Sequence, residues 1–484
     1  MTDSSPLEFH AVIQAAIAAA PAAAIAGIKR AEWLDAVASA VEAERTDLVT
    51  LANEETHLGI ARLDGELSRT TAQLRLFADV VRDRAYLELA VDHADFGPVP
   101  PRPELRRMLV PVGPVAVYAA SNFPFAFSVL GGDTASALAT GCPVIVKAHP
   151  GHPRLSAAVT VLAQSAFAKA GAPAGLLQTV YGFDVGRELV TTRAVRAAAF
   201  TGSLTGGRAL FDLANGRPDP IPFYGELGSI NPVVIMPKAA QRNEGNLASG
   251  LIESFTLGIG QFCTKPGLVF VPEVSPFSLA VATRLADRQG GRMLTEGLAQ
   301  SYEHGRESLA NHPDVTTLVP GSIAGDTVRP ALFSTTASAL AADPNRLTAE
   351  VFGPTTLLVS YGTEEELYTA LDTIDGSLTT TIHAMPDEDA TALAAFVAAR
   401  SGRVLFAGWP TGVAVTWSQQ HGGPWPATTS LFTSVGASST RRFQRPVTWQ
   451  DAPESLLPVE LRDSELVGAP VRIDGTLHIP VREQ

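Results

Sequence analysis

The chain has 484 residues, 46% hydrophobic and 18% charged, enough for two or three domains with sizeable cores. A formal net charge of −13 gives an average field that repels phosphate, which disfavours non-specific binding to nucleic acid or an anionic membrane. Two cysteines, Cys142 and Cys263, are too few for a disulfide framework and suit a reducing compartment, so a cytoplasmic location is expected.

Residues 7–84 read as helices, on alanine-rich stretches, charged faces and the absence of Gly-Pro punctuation. Lys29 is the first basic residue other than a histidine, so the positive start of a secretory signal is missing. The apolar stretch around Pro21 falls short of the ~18 residues a membrane span needs. Residues 86–92 alternate like a strand, and residues 105–110 offer a partner across a Pro-rich connection. From Val115 the pattern becomes strand 115–118, helix 125–139, strand 144–147, helix 154–170, strand 177–181, helix 184–192 and strand 195–200. Strands apolar throughout, alternating with helices, argue for a parallel sheet covered on both faces. A second α/β segment opens at residues 232–236. Near the C-terminus, Asp474-Gly475 between two alternating runs is a hairpin signature.

Several residues along this frame could carry chemistry. Cys263 lies in Gly258-Ile-Gly-Gln-Phe-Cys-Thr-Lys-Pro-Gly267, where flanking glycines allow close approach of a ligand. It is a nucleophile where its surroundings favour the thiolate, although a free cysteine taken alone is more often a small buried hydrophobe. Asn122, in Ser121-Asn-Phe-Pro-Phe125, follows a strand and precedes a helix starter. Its amide can donate to a developing oxyanion, or it serves as an Asx turn or N-cap. Gly202 and Ser203 form a turn that suits close approach of a cofactor and is also ordinary turn chemistry. Glu226, in Gly225-Glu-Leu-Gly228, is either a base or a solvated loop acid. Glu350 and Phe352 share a short segment ended by Gly353-Pro354. Cys142 reads as core filler. No GxGxxG follows a strand, and there is no HExxH or CxxC, so the usual dinucleotide fingerprint is missing and no metal is expected.

The ordered set SNFPF, VIVKAHP, FTGS, ELGSINP, GQFCTKPG and EVFGP resembles the aldehyde dehydrogenase superfamily over essentially the whole chain. A narrower resemblance is to the bacterial subgroup of 2,5-dioxovalerate (α-ketoglutaric semialdehyde) dehydrogenases and the related NADP-dependent fatty-aldehyde dehydrogenase. It is carried by residues 68–77, 131–136, 147–150, 420–424, 433–436 and 441–443. The resemblance implies an α/β protein with two parallel-sheet domains and a small β arm for oligomerisation. Residues 1–85 and 111–227 would form the cofactor-binding domain, 228–445 the catalytic domain, and 86–110 with 463–484 the arm. A homodimer or homotetramer follows, with a small aldehyde as the only other partner: no nucleic acid, no membrane.

By the same resemblance Cys263 attacks the aldehyde, Asn122 and the Cys263 N–H stabilise the oxyanion, and Glu226 activates water to hydrolyse the thioester. A partly buried Glu226 is expected to have a pKa raised toward the working pH. Lys147 is expected at the adenosine ribose, Glu350 at the nicotinamide ribose, Phe352 beside the cofactor, and Gly202 and Ser203 at its phosphate or ring. Lys265 and His421 are candidates to pair a substrate carboxylate. Residues 148–152 hold no acid to repel a 2′-phosphate and two histidines to assist it, so NADP is the expected cofactor with NAD also accepted. The expected substrate is 2,5-dioxopentanoate. A medium- or long-chain aliphatic aldehyde is the alternative, because Ala407, Trp409, Ala414 and His57 depart from the subgroup pattern. A catalytically silent scaffold is disfavoured by the joint retention of Asn122, Glu226 and Cys263.

Overall fold

Helix α1 (Pro6–Ala24) starts where the local chemistry dictates. Ser5 Oγ accepts from the Glu8 N–H, the Glu8 carboxylate accepts from the Ser5 N–H, and Pro6 occupies the first turn. Phe9, Ile13 and Ala16 recur at helical spacing and are buried in the cluster that holds Ala116, Tyr118 and Ile145. The whole helix is long and apolar enough, by length and composition, to cross a bilayer. It runs past the alanine stretch around Pro21, whose length alone falls short of a span. Here its apolar stripe is spent on the sheet beneath it. This computed structural model describes residues 2–25, 27–97, 99–273, 275–325 and 327–480.

Helices α2 (Lys29–Ala43), α3 (Arg45–Thr56) and α4 (Ile60–Asp83) follow, burying Trp33, Leu34, Val37, Leu63, Leu67 and Leu74 in one core. Strands β1 (Leu89–Asp92) and β2 (Leu105–Pro111) leave this body. Next come β3 (Val115–Tyr118), α5 (Gly132–Thr140), β4 (Val144–Lys147), α6 (Pro153–Lys169) and β5 (Leu177–Val180). Then follow α7 (Phe183–Thr191), β6 (Ala197–Thr201), α8 (Leu204–Asn215) and β7 (Phe223–Glu226). The five strands β3 to β7 form one parallel sheet in the order β5-β4-β3-β6-β7. Val115, Val117, Val144 and Val146 face the core of α2 and α4, whereas Ala116, Tyr118 and Ile145 face α1. Alternation along each strand therefore meets an apolar cover on both sides, the physical reason these strands read as continuous apolar runs.

One element departs from expectation. Residues 125–131 are turns, and the helix begins only at Gly132. The N–H groups of Phe125 and Ala126 donate to the buried Glu66 carboxylate at 2.8 and 3.0 Å. A neighbouring helix thus captures donors before a local helix can form.

After β7 a seven-stranded sheet is built around β8 (Val233–Ile235) and β9 (Leu268–Pro272), with α9 (Pro237–Thr256) between them. Its order is Thr316–Val319, Ala331–Thr336, Thr355–Tyr361, β9, β8, Ser377–His383 and Ser401–Phe406, with only the first pair antiparallel. A third sheet of five strands joins Gln444–Gln450, β2, β1, Val471–Ile473 and Thr476–His478. Asp474 and Gly475 turn its last hairpin with φ of 46° and 83°, the pair of positive values a two-residue turn requires. The strand Gln444–Gln450 belongs to this sheet as well, outside the two segments expected to form the arm. Residues 481–484 of the expected arm lie outside the described residues.

Candidate active site

The loop carrying Cys263 is set by unusual backbone. Gly258, Ile259 and Gly260 all have positive φ, from 54° to 64°. A Cβ at Gly260 would come within 2.2 Å of Gly353 O, so only glycine fits there, and Ile259 holds a conformation that β-branched residues avoid. Asn231 fastens the far side of the loop. Its Nδ2 donates to Cys263 O at 2.8 Å and to Lys265 O at 3.0 Å. Asn231 lies inside the ELGSINP motif, but its role was not legible there.

Glu226 ends β7 and is buried. His421 Nε2 lies 2.8 Å from its Oε1 and 3.6 Å from Cys263 Sγ. Ser434 Oγ donates to the other carboxylate oxygen at 2.7 Å. Thr433 Oγ1 accepts from the His421 N–H at 2.8 Å, fixing the strap that carries the imidazole. His421, expected to meet a substrate carboxylate, instead bridges nucleophile and base. Ser434 lies in the run 433–436 that carries the narrower resemblance, but no role attached to it there: a serine in a loop shows no chemistry until the fold brings it to a carboxylate. The Glu226, Cys263 and His421 donor atoms lie within 4.8 Å of one another, a set that could hold a cation, but a cation there would remove the thiolate from covalent chemistry.

The electrostatics correct a second expectation. Burial alone would raise Glu226, but the charge and hydrogen bond of His421, with help from Ser434, hold it below the ordinary carboxylate range. The resting base is therefore ionised. The Cys263 thiol is pushed well above its usual value by burial and then by the adjacent Glu226 charge, while Arg69 pulls it down. The resting nucleophile is thus a neutral thiol with a proton acceptor beside it. Asn122 Nδ2 donates to Gln261 O at 3.0 Å, which places the amide beside the Cys263 loop with a second N–H still to give.

The expected cofactor residues gather at the carboxyl end of the first sheet, where strand order reverses between β3 and β6. This is the crevice in which open α/β sheets bind ligands. Lys147 ends β4, and its Nζ makes no hydrogen bond among the described residues; burial pushes its ammonium down, and Asp3 is the charge that opposes this. Ser203 caps α8 by accepting from the Gly206 N–H at 3.2 Å. Cβ atoms at Gly202 and Gly207 would come 2.6 Å from Phe200 and 2.0 Å from Leu227, so the helix start is seated tightly on the strand ends, as a dinucleotide site needs. Glu350 rests on Gly228, where a Cβ would lie 2.9 Å from its Oε2. Crowding raises its carboxyl against the pull of Lys265, although the residue stays reachable from solvent, which limits that effect. Phe352 is half-buried beside it. These residues fit a nicotinamide dinucleotide.

Three further placements were not expected. Lys265 is buried and donates to Val351 O at 3.0 Å and Thr355 O at 2.7 Å, so its ammonium holds the Glu350 segment rather than a substrate. The histidines after Lys147 offer no positive charge. His149 is pushed down to about 3 by burial, and His152 is buried with its ring nitrogens against Ala120 O and Ser156 Oγ. Two acids arrive from elsewhere in the chain. Asp3 packs at Gly182 beside the β4 end, and the Glu55 carboxylate accepts from the Arg154 and Leu155 N–H groups at the start of α6.

The profile of the aldehyde dehydrogenase family matches residues 1–424. The α-ketoglutaric semialdehyde dehydrogenase 2 of Azospirillum brasilense is 45% identical over 457 residues, 92% of this chain and 87% of that one. The α-ketoglutaric semialdehyde dehydrogenase of Acinetobacter baylyi is 40% identical over 461 residues, 93% and 87% of the two chains. Among solved structures, 3,6-anhydro-L-galactose dehydrogenase in complex with NAP superposes with a TM-score of 0.79 at 19% identity, covering 93% of this chain and 92% of that one. Aldehyde dehydrogenase 21 of Physcomitrella patens has a TM-score of 0.78 at 19% identity, with 92% and 91% covered. At that identity the two structures speak for the fold alone.

Proposed function

We propose that this chain, which belongs to the aldehyde dehydrogenase family, oxidises 2,5-dioxopentanoate to 2-oxoglutarate with NADP or NAD. The reading rests on one constellation, Cys263 Sγ and Glu226 Oε1 both within reach of His421 Nε2, in a chain 45% identical to a relative named for that semialdehyde.

In this reading the Cys263 proton passes to the Glu226–His421 pair as sulfur bonds to the aldehyde carbon. The carbonyl oxygen becomes an oxyanion, held by the free N–H of the Asn122 amide and the Cys263 backbone N–H. A bound NAD(P) supplies the hydride acceptor. Loss of hydride from the thiohemiacetal carbon leaves a thioester on Cys263. Glu226 passes the thiol proton to solvent and then takes a proton from water as the water oxygen attacks the acyl carbon; the C–S bond breaks, the acid leaves, and the departing thiolate recovers a proton from Glu226. Lys147 and Glu350 would hold the two riboses of NAD(P).

For the cofactor, NADP is expected to serve at least as well as NAD, because residues 148–152 present no carboxylate and Glu55 is already committed to two N–H groups. Pro150→Glu is expected to swing preference toward NAD, since a focused like-charge contact disfavours the 2′-phosphate by several kcal/mol. The check is kcat/KM for both cofactors in parent and variant, with 2,5-dioxopentanoate, decanal and pentanal as substrates. A parent that strongly prefers NAD would move attention to Asp3. A parent that favours decanal would replace the semialdehyde by the alkyl alternative.

The outlying five-stranded sheet is proposed as the surface through which copies pair. Its last strand is an edge with Leu477 and Ile479 exposed, and such edges are normally covered. The two free thiols suit the cytoplasm.

A further inference from the structure

Residues 62, 66 and 69 are four and three apart on α4, which places Arg62, Glu66 and Arg69 on one face of that helix. The face is turned toward the Cys263 loop. The Arg62 guanidinium lies 4.8 Å from the centre of the Phe262 ring and 5.4 Å from that of Phe123. Arg69 lies 5.7 Å from Phe123 and 5.3 Å from Phe127. Phe262 adjoins Cys263 in the chain, and the Phe127 ring is 6.5 Å from that of His421. Both guanidiniums therefore sit on aromatic faces one layer from the reacting thiol.

What distinguishes these two cations is what they leave unused. Arg62 donates once, from Nη2 to Asn122 O at 2.7 Å, and its Nη1 is buried with no partner. Arg69 makes no hydrogen bond and no ion pair among the described residues, and its Nε is buried and unpartnered. Other cations near the thiol are held by carbonyls: Lys265 on Val351 O and Thr355 O, and Arg403 through both Nη groups on Pro410 O and Gly412 O, with only its Nε buried and unpartnered. Glu66 lies between them on the same helix, and burial pushes its carboxyl up. Its Oε1 accepts from the Phe125 and Ala126 N–H groups, so it braces the aromatic loop rather than pairing with either arginine. Two half-buried guanidiniums are left with donors to spare, Arg62 Nη1 and Arg69 Nε being buried without a partner. Burying such groups without partners is costly, and the ligand class that would relieve the cost is a carboxylate, which a guanidinium takes in bidentate fashion.

We propose that Arg62 and Arg69 form the subsite for the distal carboxylate of the substrate, making this enzyme selective for short aldehydes that end in an acid. The subsite rests on the semialdehyde reading above. The aldehyde carbon is placed at Cys263 and the carboxylate is held under α4, so a plain alkyl chain would leave Arg62 Nη1 and the Arg69 guanidinium unpaired.

The test compares succinic semialdehyde with pentanal in the parent, R69M, R69K and R62M. The parent is expected to favour the anionic aldehyde. R69M should lower the ratio of the two kcat/KM values by about 100-fold, mostly through KM for the anionic substrate. R69K, which keeps the charge but loses the fork, should lie between. R62M should lower the same ratio and also slow both substrates, because Arg62 holds the Asn122 backbone. Glutarate should inhibit the parent competitively against the aldehyde and inhibit R69M far less, a readout that a general loss of packing would not produce. A parent that favours the anionic aldehyde but shows the same ratio in R69M, R69K and R62M overturns the subsite and leaves the proposed substrate standing. A parent with no preference for the anionic aldehyde overturns both.

Discussion

Cys263→Ala abolishes dehydrogenase turnover, by at least about 10⁴-fold, while cofactor affinity stays close to that of the parent. The size follows from the chemistry: without the thiol there is no thiohemiacetal from which hydride can leave and no thioester to hydrolyse. The spared affinity follows from placement. Lys147 and Ser203 sit at the carboxyl ends of the first sheet, on different elements from the Cys263 loop. Cys142→Ala is the control. Cys142 is fully buried, with its Sγ 3.4 Å from Phe443 O, and its loss should cost some stability but little activity. Steady-state formation of reduced cofactor measures turnover, and calorimetric titration with NADP measures affinity. Oxidation that survives Cys263→Ala would end the covalent mechanism, and a large kinetic loss in Cys142→Ala would mean that the other cysteine is the nucleophile.

Much of the frame could be read from residues alone because burial on both faces leaves continuous apolar strands, as in Val115–Tyr118 and Val144–Lys147. The hairpin at Asp474-Gly475 was equally legible, since few residue pairs accept two positive φ values. What could not be read was decided by contacts far apart in sequence. Glu66 takes the amide hydrogens of residues 125 and 126 and delays α5. Lys265 looked free beside the nucleophile, yet the fold supplies two carbonyls for it. His421 is 158 residues from Cys263 in the chain, so no local pattern could announce that it joins thiol to carboxylate. Residues 148–152 hold no acid, while the acids that reach this region come from Asp3 and Glu55. Sequence motifs thus marked which residues are chemical, and tertiary contacts decided what each is chemical toward.

Glu226→Gln separates the two halves of the reaction. Glutamine is nearly isosteric and can still hydrogen-bond Ser434 Oγ and His421, so the site keeps its shape while losing a proton acceptor. Thioester hydrolysis needs that acceptor at the attacking water, and general-base assistance contributes about 10²–10⁴-fold. Hydride transfer needs it only to unload the thiol, and removing the Glu226 charge itself makes that ionisation easier. The expected result is a burst of reduced cofactor close to one equivalent, followed by a steady rate lowered by about 10²-fold or more. Removing the negative charge should also act on the thiol in the opposite sense. Glu226 helps hold the Cys263 pKa up, so in the variant this pKa falls, and alkylation of Cys263 by iodoacetamide should reach half its maximal rate at a lower pH than in the parent. Slower deacylation with a more acidic thiol is a combination that neither misfolding nor loss of the cofactor site would give. Burst and steady rates falling together, with no change in the alkylation profile, would assign Glu226 to positioning and leave His421 as the base.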